Sequence, residues 1–482
     1  MYQYLLAILF FVYFAISCIQ IWILKALKGM PCVPTFPIIG SALRLYSKDG
    51  REIFNKVNNE FKQSGGKFML FLGNRLFVVM SDQKDIKAIL TNPKMIDRPI
   101  EYHFFKTWLG DSIFTADGDA WKPKQKQLYP FLNMKFVQNA LPVFEHHCEN
   151  LIKSLKNNVK VEFDIYHKVE SFAMDVIIEL TLGNRNNSHE NPTNFQYYLH
   201  ENTKITIWRV VHPIYRNDFL YSFTRKCKES QRMTKEMRAY IQEAIERTKK
   251  NDFLPLEHRK TIIDNICNLS QSTLPMSDVE MQNDLLFIIF AGFDTMSSSV
   301  SFLTYCLAKY PEVQEKVYQE IKENINPDEP LTVQTLNTLK YTNLVIKEAL
   351  RMYTPAPSVI RSNSVPFELN GYNYPADTTF ILSLYNAHHN PENYEDPEKF
   401  LPERHDVIKS SENNNIFNFV AFAPGVRGCR GNKIAEYQLK TFVVKMLNSY
   451  KIALKEGFEP ELSWDIVLKP YNGIWINLSA RN

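Results

Sequence analysis

The stretch Phe422-Ala-Pro-Gly425-Val-Arg427-Gly-Cys429-Arg-Gly431 places one cysteine among glycines, directly ahead of a helix-like run over residues 432–447. A free thiol has a pKa of about 8.5, and both the start of a helix and nearby cations favour its ionised form. The glycines let the backbone approach a flat molecule closely and point N–H groups at the sulfur. Arg427 is suited to hold a carboxylate through paired hydrogen bonds. The stretch therefore predicts a thiolate that binds a metal.

The spacing Phe-x-x-Gly-x-Arg-x-Cys-x-Gly resembles the haem-binding loop of the cytochrome P-450 monooxygenases, most strongly the microsomal members found in insects. The resemblance implies that Cys429 is the metal ligand, bound to haem iron, and that Phe422, Gly425, Arg427 and Gly431 belong to the cofactor-binding site. A cysteine without context is more often an inert buried residue. Here the flanking glycines and arginine favour the ligand.

The composition is that of a folded globular protein, with 45% hydrophobic and 22% charged residues over 482 positions. Such a length exceeds one small core, so two lobes or one composite domain are expected. The net charge of +4 and the absence of an arginine-rich stripe in the sequence argue against a dedicated nucleic-acid binder. The resemblance implies a mainly α fold with small β-sheets, divided into a large helical lobe and a smaller lobe that contains the sheets.

The N-terminus carries no charged residue over positions 4–24, a run of roughly 30 Å as a helix, which is enough to cross a bilayer. Lys25 and Lys28 follow the run and predict that the body lies in the cytosol. A cleavable signal peptide is the alternative, but the run is long and its first residues are uncharged. We therefore expect a membrane anchor over 1–30 and a haem-thiolate monooxygenase domain over 31–482, and the resemblance implies the endoplasmic reticulum membrane.

Helical periodicity dominates the body. Apolar residues recur every three or four positions in four segments, 136–156, 232–249, 311–324 and 341–353. Strand-like runs are short and predict two hairpins, over 67–80 around Gly73-Asn74 and over 367–380 around Asn370-Gly371.

A long apolar helix is predicted over 284–308, interrupted by Ala291-Gly-Phe-Asp-Thr295. The residues alone leave two explanations open: a threonine that bonds back to the preceding turn, which is favoured, or a local opening of the helix. The resemblance implies the oxygen-binding helix of the family. Asp294 and Thr295 would then be catalytic residues that relay protons through water, and Gly292 would leave room for the oxygen molecule.

Glu348 and Arg351 lie three residues apart and hence on one face of a helix. Such a pair is weak evidence alone, because exposed pairs are common and contribute little. The order of Glu348, Arg351, Arg404 and the cysteine loop is that of the family. It implies a structural cluster of these three charged residues beneath the haem, and breaking a buried pair of this kind costs several kcal/mol.

Arg361 and Trp121 resemble further haem-binding residues of the family, but the arginine usual four positions after the tryptophan is Gln125. Three lysines are close enough in sequence to supply a point charge instead: Lys122, Lys124 and Lys126. Ala291 stands where some fatty-acid-hydroxylating relatives carry a glutamate that bonds covalently to haem. We therefore expect haem b held non-covalently.

No Gly-x-Gly-x-x-Gly fingerprint occurs in the sequence, so electrons must come from another protein. The resemblance implies the NADPH-cytochrome P-450 reductase and allows cytochrome b5 as a second donor. A basic patch for these partners is one interpretation of the cations near the cysteine, and a solvated charged face is the other. These cations are Lys122, Lys124, Lys126, Arg430 and Lys433.

The resulting hypothesis is a monooxygenase that inserts one atom of O2 into an apolar small molecule, whether fatty acid, hormone or xenobiotic. Two alternatives remain: a haem-thiolate isomerase or dehydratase that needs no reductase, and a haem protein without catalysis. We expect residues of segments 100–114 and 203–219 to line the substrate pocket.

Overall fold

The computed structural model describes residues 2–36, 39–45, 47, 49–129, 132–185, 188, 194–250, 261–272, 276–406 and 416–481. Over these residues the chain is mainly helical with small sheets, which confirms that part of the predicted fold class. The helices are α1 (Tyr2–Ala26), α2 (Ala42–Leu45), α3 (Gly50–Ser64), α4 (Gln83–Thr91), α5 (His103–Leu109), α6 (Gly118–Leu128), α7 (Met134–Leu155), α8 (Tyr166–Leu182), α9 (Phe195–Val211), α10 (Asp218–Ser222), α11 (Arg225–Lys249), α12 (Ile262–Ser272), α13 (Asp278–Lys309), α14 (Pro311–Asn324), α15 (Val333–Thr338), α16 (Lys340–Met352), α17 (Leu384–His388) and α18 (Asn432–Ser449). The strands are β1 (Lys67–Leu72), β2 (Arg75–Met80), β3 (Phe163–Asp164), β4 (Ser358–Ser362), β5 (Phe367–Leu369), β6 (Tyr372–Tyr374), β7 (Thr379–Ser383), β8 (Tyr450–Leu454), β9 (Leu462–Asp465), β10 (Val467–Pro470) and β11 (Trp475–Ala480).

The four helices predicted from apolar periodicity are confirmed as α7, α11, α14 and α16, with ends that differ by a few residues. The largest difference is at α11, which begins at Arg225 rather than at 232. Thr224 caps it there by accepting a hydrogen bond from the Cys227 N–H at 3.1 Å. A side-chain cap of this kind stabilises a helix start that apolar spacing does not reveal.

The long predicted helix is α13, which packs against α8, α11 and α16. It begins at a capping box in which Ser277 Oγ accepts from the Glu280 N–H and the Glu280 carboxylate accepts from the Ser277 N–H. Most of its side chains are buried. It lies so close to α8 that a Cβ on Gly292 would be 2.4 Å from Ile177 Cδ1. A larger residue at this position would force the Ile177 side chain to move.

Two helices bear on the question of a membrane span. By length and composition, α13 is the one described helix apolar enough to cross a bilayer, but most of that apolar stretch is buried inside the protein. It is therefore a core helix. In α1, the apolar part searched for this property is Phe14–Ala26, which is shorter than a full span.

The largest sheet has the strand order β1-β2-β7-β4. The hairpin predicted over 67–80 is confirmed, with Lys67 opposite Met80. The second hairpin, predicted over 367–380, is wrong in its last part. Strands β5 and β6 pair as expected, but β7 leaves them and pairs with β2 and β4. Alternating apolar residues identify a strand but not its partner, because any half-buried strand has the same pattern.

Glu348 of α16 is fully buried, and both of its carboxylate oxygens are satisfied. Its Oε2 accepts hydrogen bonds from Arg351 Nε at 2.8 Å and from His405 Nε2 at 2.9 Å. Its Oε1 accepts from Arg351 Nη2 at 2.9 Å, from Arg404 Nε at 3.0 Å and from the Leu401 N–H at 2.9 Å. The structure thus brings together Glu348, Arg351 and Arg404 and adds His405, which no sequence motif pointed to.

This cluster is connected to the cysteine loop through His388. Arg351 Nη1 donates to the His388 carbonyl at 2.7 Å, and His388 Nε2 accepts from the Val420 N–H at 3.0 Å, just before the loop. Burial lowers the pKa of His388 well below its usual value, so the ring is neutral and its Nε2 is free to accept. Two buried polar groups therefore fix where the loop begins.

We predict that Glu348→Gln lowers the free energy of unfolding by about 3 to 5 kcal/mol, because Arg351 and Arg404 are left without their buried anion. Urea unfolding followed by circular dichroism measures this change. Glu403→Gln is the matched control, since Glu403 pairs with Lys316 at 2.8 Å on the exposed surface. Such pairs contribute only about 0 to 1 kcal/mol. Equal losses in the two variants would contradict a special role for the buried cluster.

The Glu348→Gln variant should also change how the free energy of unfolding depends on pH. Burial acts to raise the pKa of Glu348, but hydrogen bonds from His405 and Arg351 lower it from 4.5 to about 2. Because the folded pKa is the lower one, this stabilisation is complete above about pH 4.5 and is lost as the pH falls towards 2. Over that window the wild-type protein should lose stability more steeply than Glu348→Gln does.

Candidate active site

A large cavity lies between α6, α8, α13, β4 and the loop that precedes α18. Eight of the residues predicted from sequence line it: Trp121, Gly292, Thr295, Arg361, Phe422, Arg427, Cys429 and Gly431. Two others, Gly425 and Asp294, belong to elements that border the cavity but are not among its lining residues. The sequence motifs, which are far apart along the chain, thus converge on one interior space.

Cys429 has accessible surface because its side chain faces this cavity. Its N–H donates to the Phe422 carbonyl at 3.0 Å, which folds the loop back on itself. Burial raises the pKa of the Cys429 thiol, while the Gly431 N–H and the charge of Arg430 act in the opposite direction. These local groups offset only part of the cost of burial, so a metal cation at the sulfur would be needed to make the thiolate the stable form.

Gly425 shapes the loop rather than the cavity. Its φ of +140° is a backbone conformation that favours glycine, and a Cβ there would lie 2.4 Å from the Leu90 carbonyl oxygen. The residue lets the loop pass directly over the end of α4. A larger side chain would displace the loop and, with it, Cys429.

Arg427 and Arg361 line the cavity, and the pKa of each is lowered. Arg427 Nη2 donates to the Ala116 carbonyl at 2.6 Å and its guanidinium lies 4.7 Å from the centre of the Trp121 ring. Its Nε and Nη1 are buried, and neither has a hydrogen-bond partner in the described part of the chain. Burial, and then the charges of Arg98 and Arg361, lower the pKa of Arg427 to about 9, so it remains a cation near pH 7.

Arg98 is the third cation of this group, and sequence reasoning missed it because it belongs to no recognised motif. Its Nε donates to the Phe114 carbonyl at 3.0 Å and its Nη1 to Tyr102 Oη at 3.2 Å. It lines the cavity together with Arg361 and Arg427. Burial and the charge of Arg98 lower the pKa of Arg361 to about 10.

The three arginines, Arg98, Arg361 and Arg427, form no ion pair with a carboxylate in the described residues. Converging cations with unsatisfied buried N–H groups are costly unless an anion joins them. The cavity therefore fits a ligand that carries carboxylates at this edge, and planar guanidinium groups bind such groups through paired hydrogen bonds. A haem fits both this edge and the thiol.

The lysines of α6 do not take the place of the arginine lost at Gln125. Lys124 Nζ instead lies 3.1 Å from Asp284 Oδ2 of α13, and Lys122 is exposed beside Asp119. Arg98 is the residue that contributes the extra cation at the cavity. Its contribution comes from a different part of the chain, so the motif around the tryptophan could not reveal it.

Asp294 and Thr295 are neighbours in α13 but face different surroundings. Thr295 lines the cavity, and its Oγ1 donates to the Ala291 carbonyl at 2.7 Å, which is the back-bonding explanation left open by the sequence. Asp294 is buried on another face of the helix, with Oδ1 2.8 Å from Lys469 Nζ. The structure does not bring the Asp294 carboxylate into the cavity.

The remaining walls of the cavity are largely apolar. Segment 100–114 contributes to them as expected, through Tyr102, Ile113 and Phe114. The described part of 203–219 differs from expectation, because Arg216, Asn217 and Asp218 line a neighbouring polar cleft instead. Arg98 and Tyr102 line both spaces and form the partition between them; this partition could not be read from the sequence.

The cavity is apolar and is lined by the Cys429 thiol, by three arginines without a carboxylate partner in the described residues, and by the long helix α13. This combination is that of the haem-thiolate proteins. The family model for Cytochrome P450 matches residues 30–477, and the chain belongs to that family. It is similar to Cytochrome P450 4d2 of Drosophila melanogaster, 27% identical over 474 residues, which cover 94% of each chain. It is also similar to Cytochrome P450 4V2 of Mus musculus, 28% identical over 95% of this chain and 91% of the relative. Membership makes the protein a monooxygenase of the oxidoreductase class, with haem iron, O2, a redox partner and in general an apolar substrate.

We predict that Arg98→Gln speeds haem loss by about 10- to 100-fold, because a charged hydrogen bond contributes about 1.5 to 3 kcal/mol. Transfer of haem to excess apomyoglobin measures the rate. Gln125→Arg should change the rate much less, since Gln125 is not among the residues that line the cavity. Arg225→Gln, which alters an exposed pair with Glu229 on α11, is the control. An equal acceleration of haem loss in Arg225→Gln, or no acceleration in Arg98→Gln, would refute the role of Arg98 in haem binding.

Proposed function

We propose that this protein is a membrane-bound monooxygenase that inserts one atom of O2 into an apolar small molecule, with electrons from NADPH delivered by a separate reductase. The observation that carries the proposal is the apolar cavity, which is lined by the Cys429 thiol and, at one edge, by three arginines that have no carboxylate partner among the described residues. A cavity with a mostly apolar lining suits an apolar substrate, because burial of apolar surface drives its binding.

In this proposal Cys429 binds the haem iron, and the haem supplies the activation of oxygen, which thiolate ligation favours. Arg98, Arg361 and Arg427 bind its carboxylates, with Trp121 packed beneath Arg427. Phe422 and Gly431 border the thiol, and Gly425 holds the loop in shape.

Gly292 and Thr295 of α13 line the part of the cavity where we expect oxygen to react. The Thr295 hydroxyl donates to the helix backbone, so its oxygen lone pairs are free to accept from a water that carries protons to the site. Ala291 also lines the cavity, and its methyl group cannot form an ester with the haem. Haem b would therefore be held without a covalent bond.

The electron donor would approach the surface next to Cys429. Lys122, Lys126, Arg430 and Lys433 are exposed there or on the adjoining helix α6, whereas Lys124 is withdrawn from this surface by Asp284. A cationic surface attracts an acidic partner and raises the rate of encounter. We propose the NADPH-cytochrome P-450 reductase as this partner, with cytochrome b5 as a second donor.

Reconstitution with the reductase tests the function. Wild-type protein should consume NADPH and hydroxylate members of a panel of fatty acids, hormones and xenobiotics, and its reduced form with carbon monoxide should show the red-shifted Soret band of thiolate ligation. Cys429→Ser should lose that band and all detectable turnover, because a serine hydroxyl does not supply a thiolate.

Cys18→Ser is the control for loss of a thiol, since Cys18 is exposed on α1 and remote from the cavity. Product formed from peroxides without reductase would favour the isomerase or dehydratase. Haem binding with the thiolate band but no turnover of any compound would favour a haem protein without catalysis. Retention of the band by Cys429→Ser would remove Cys429 as the ligand.

We further propose that α1 anchors the protein in the endoplasmic reticulum membrane with the body in the cytosol. Phe14, Ile21 and Trp22 of α1 are exposed, although they are large and apolar, and Lys25 follows in the last turn. Twenty-five helical residues reach about 38 Å, enough for a bilayer core.

A second exposed apolar group supports the same orientation. It comprises Ile214, Phe219 and Phe223, on and around α10. Gln20 of α1 donates to the Gly73 carbonyl at 3.2 Å, and Arg216 donates to the Leu72 carbonyl at 3.4 Å, so α1 and this group border the same β-turn. Lipid would cover both α1 and this exposed apolar group.

Removal of residues 1–24 should move the protein from the carbonate-washed membrane fraction to the supernatant, because most of the apolar surface that binds lipid is lost. The full chain should resist the carbonate wash, and its body should be digested by protease added outside intact microsomes. Release of the full-length protein into the carbonate supernatant would contradict a spanning anchor. Resistance of the body to protease added outside intact microsomes would contradict the cytosolic orientation.

A further inference from the structure

One wall of the cavity belongs to neither a helix nor a strand. It is formed by residues 110–116, between the end of α5 and the start of α6, and we call it the wall segment. Ile113 and Phe114 of the wall segment line the cavity. A backbone without regular structure stays in place through its contacts with other parts of the protein, because its buried polar groups must find partners there.

Two arginines at the edge of the cavity hold the C-terminal half of the wall segment. Arg98 Nε donates to the Phe114 carbonyl at 3.0 Å, and Arg427 Nη2 donates to the Ala116 carbonyl at 2.6 Å. Both arginines are among those proposed to bind the haem carboxylates. This half of the wall segment is therefore attached to the cofactor site.

Asp284 of α13 holds the middle of the wall segment and is not part of that edge. Its side chain is fully buried, and its Oδ1 accepts a hydrogen bond from the Ile113 N–H at 2.6 Å. A hydrogen bond to an ionised acceptor is shorter and stronger than one between neutral groups. Asp284 is not among the described residues that line the cavity, so it acts on the wall segment from behind.

The second oxygen of Asp284 contacts a different element. Asp284 Oδ2 lies 3.1 Å from Lys124 Nζ of α6, and the Lys124 side chain is only 12% exposed. The same helix carries Trp121, whose ring lies 4.7 Å from the Arg427 guanidinium. Burial raises the pKa of Asp284, and the charge of Lys124 acts against that shift. One buried carboxylate thus joins the wall segment to α6.

The position of the wall segment determines which apolar surface a ligand meets. Phe114 stacks on Phe287, with ring centres 5.0 Å apart and planes inclined by 12°. Phe287 lies about one turn after Asp284 in α13, and both rings line the cavity. A shift of the backbone at Ile113 would separate the two rings and change the shape of the cavity.

We propose that Asp284 is a positioning residue that determines which apolar ligands the cavity accepts, because it holds the wall segment at Ile113 and α6 at Lys124. This inference rests on the proposed monooxygenase function for the class of ligand. A ligand long enough to touch Ile113 and Phe114 gains affinity from an ordered wall segment. A small ligand that does not reach them gains none, so Asp284 acts on selection without touching the ligand.

Hydrogen exchange of the resting protein tests the two contacts separately. Asp284→Leu removes both, so exchange in the wall segment should be about 10- to 100-fold faster, as expected for the loss of one hydrogen bond to a charged group. Exchange in α6 should also be faster. Asp284→Asn keeps an oxygen that can accept from Ile113, so only α6 should exchange faster.

Asp278→Leu is the matched control, since Asp278 lies in the first turn of the same helix and pairs with Lys249 near the surface. It should leave exchange in the wall segment and in α6 unchanged. Unchanged exchange of the wall segment in Asp284→Leu, or equal acceleration there in Asp284→Asn, would overturn the proposal.

Ligand selection is measured with imidazole and 1-dodecylimidazole, whose binding shifts the Soret band of the haem protein. In Asp284→Leu the Kd of 1-dodecylimidazole should rise about tenfold, as for a wall segment that is ordered about one tenth of the time. The Kd of imidazole should stay close to the wild-type value. Asp284→Asn should restore the wild-type ratio of the two Kd values. Equal losses of affinity for both probes in Asp284→Leu, or none for the longer one, would contradict a role in selection.

Neither measurement requires turnover, so failure of this inference can be told from failure of the proposed function. Faster exchange of the wall segment in Asp284→Leu, combined with no turnover by the wild-type protein and reductase, would refute the monooxygenase function and leave the position of Asp284 supported. Turnover by the wild-type protein, combined with unchanged exchange in Asp284→Leu, would refute the role of Asp284 alone.

Discussion

The buried carboxylate of Glu348 is the interaction on which the site depends. An unpaired anion in a protein interior is strongly disfavoured, so its five donors must all be brought together when the chain folds. Those donors come from α16 and from the segment near 404, which are distant in sequence. Arg351 then carries the constraint to His388, and His388 passes it to the Val420 N–H at the start of the cysteine loop. The satisfaction of one negative charge thus helps to fix where the cysteine loop begins.

The arginines at the cavity edge present the opposite situation. Arg427 is half-buried, its buried Nε and Nη1 have no hydrogen-bond partner among the described residues, and Arg98 and Arg361 add charge of the same sign nearby. Within the described residues no carboxylate neutralises them. The Glu348 carboxylate is fully hydrogen-bonded, whereas the three arginines have no anion beside them in the described residues. We infer that the Glu348 cluster stabilises the fold and that the arginines bind an anionic ligand. The charges at this edge therefore indicate an anionic cofactor independently of the cysteine motif.

The sequence predicted what is encoded locally. Apolar spacing identified α13, and the glycine pattern identified the loop of Cys429 together with the residues around it. It could not predict Arg98 or His405, because each acts through a partner far away in the chain and belongs to no short pattern. The pairing of β7 was wrong for a related reason, since strand patterns do not specify partners. The loss of an arginine at Gln125 was visible in the sequence, but the residue that supplies the cation instead was visible only in three dimensions.

Asp294 shows the same limit at the scale of one residue. Consecutive positions in a helix differ by about 100° around the axis, so neighbouring residues can have different surroundings. Here Thr295 faces the cavity, whereas Asp294 faces the packing interface with β10. The charge of Lys469 offsets part of the cost of burying the Asp294 carboxylate there. Neither carboxylate oxygen accepts a hydrogen bond from the described residues. The adjacency of an acid and an alcohol in the sequence therefore does not determine that both side chains enter the cavity.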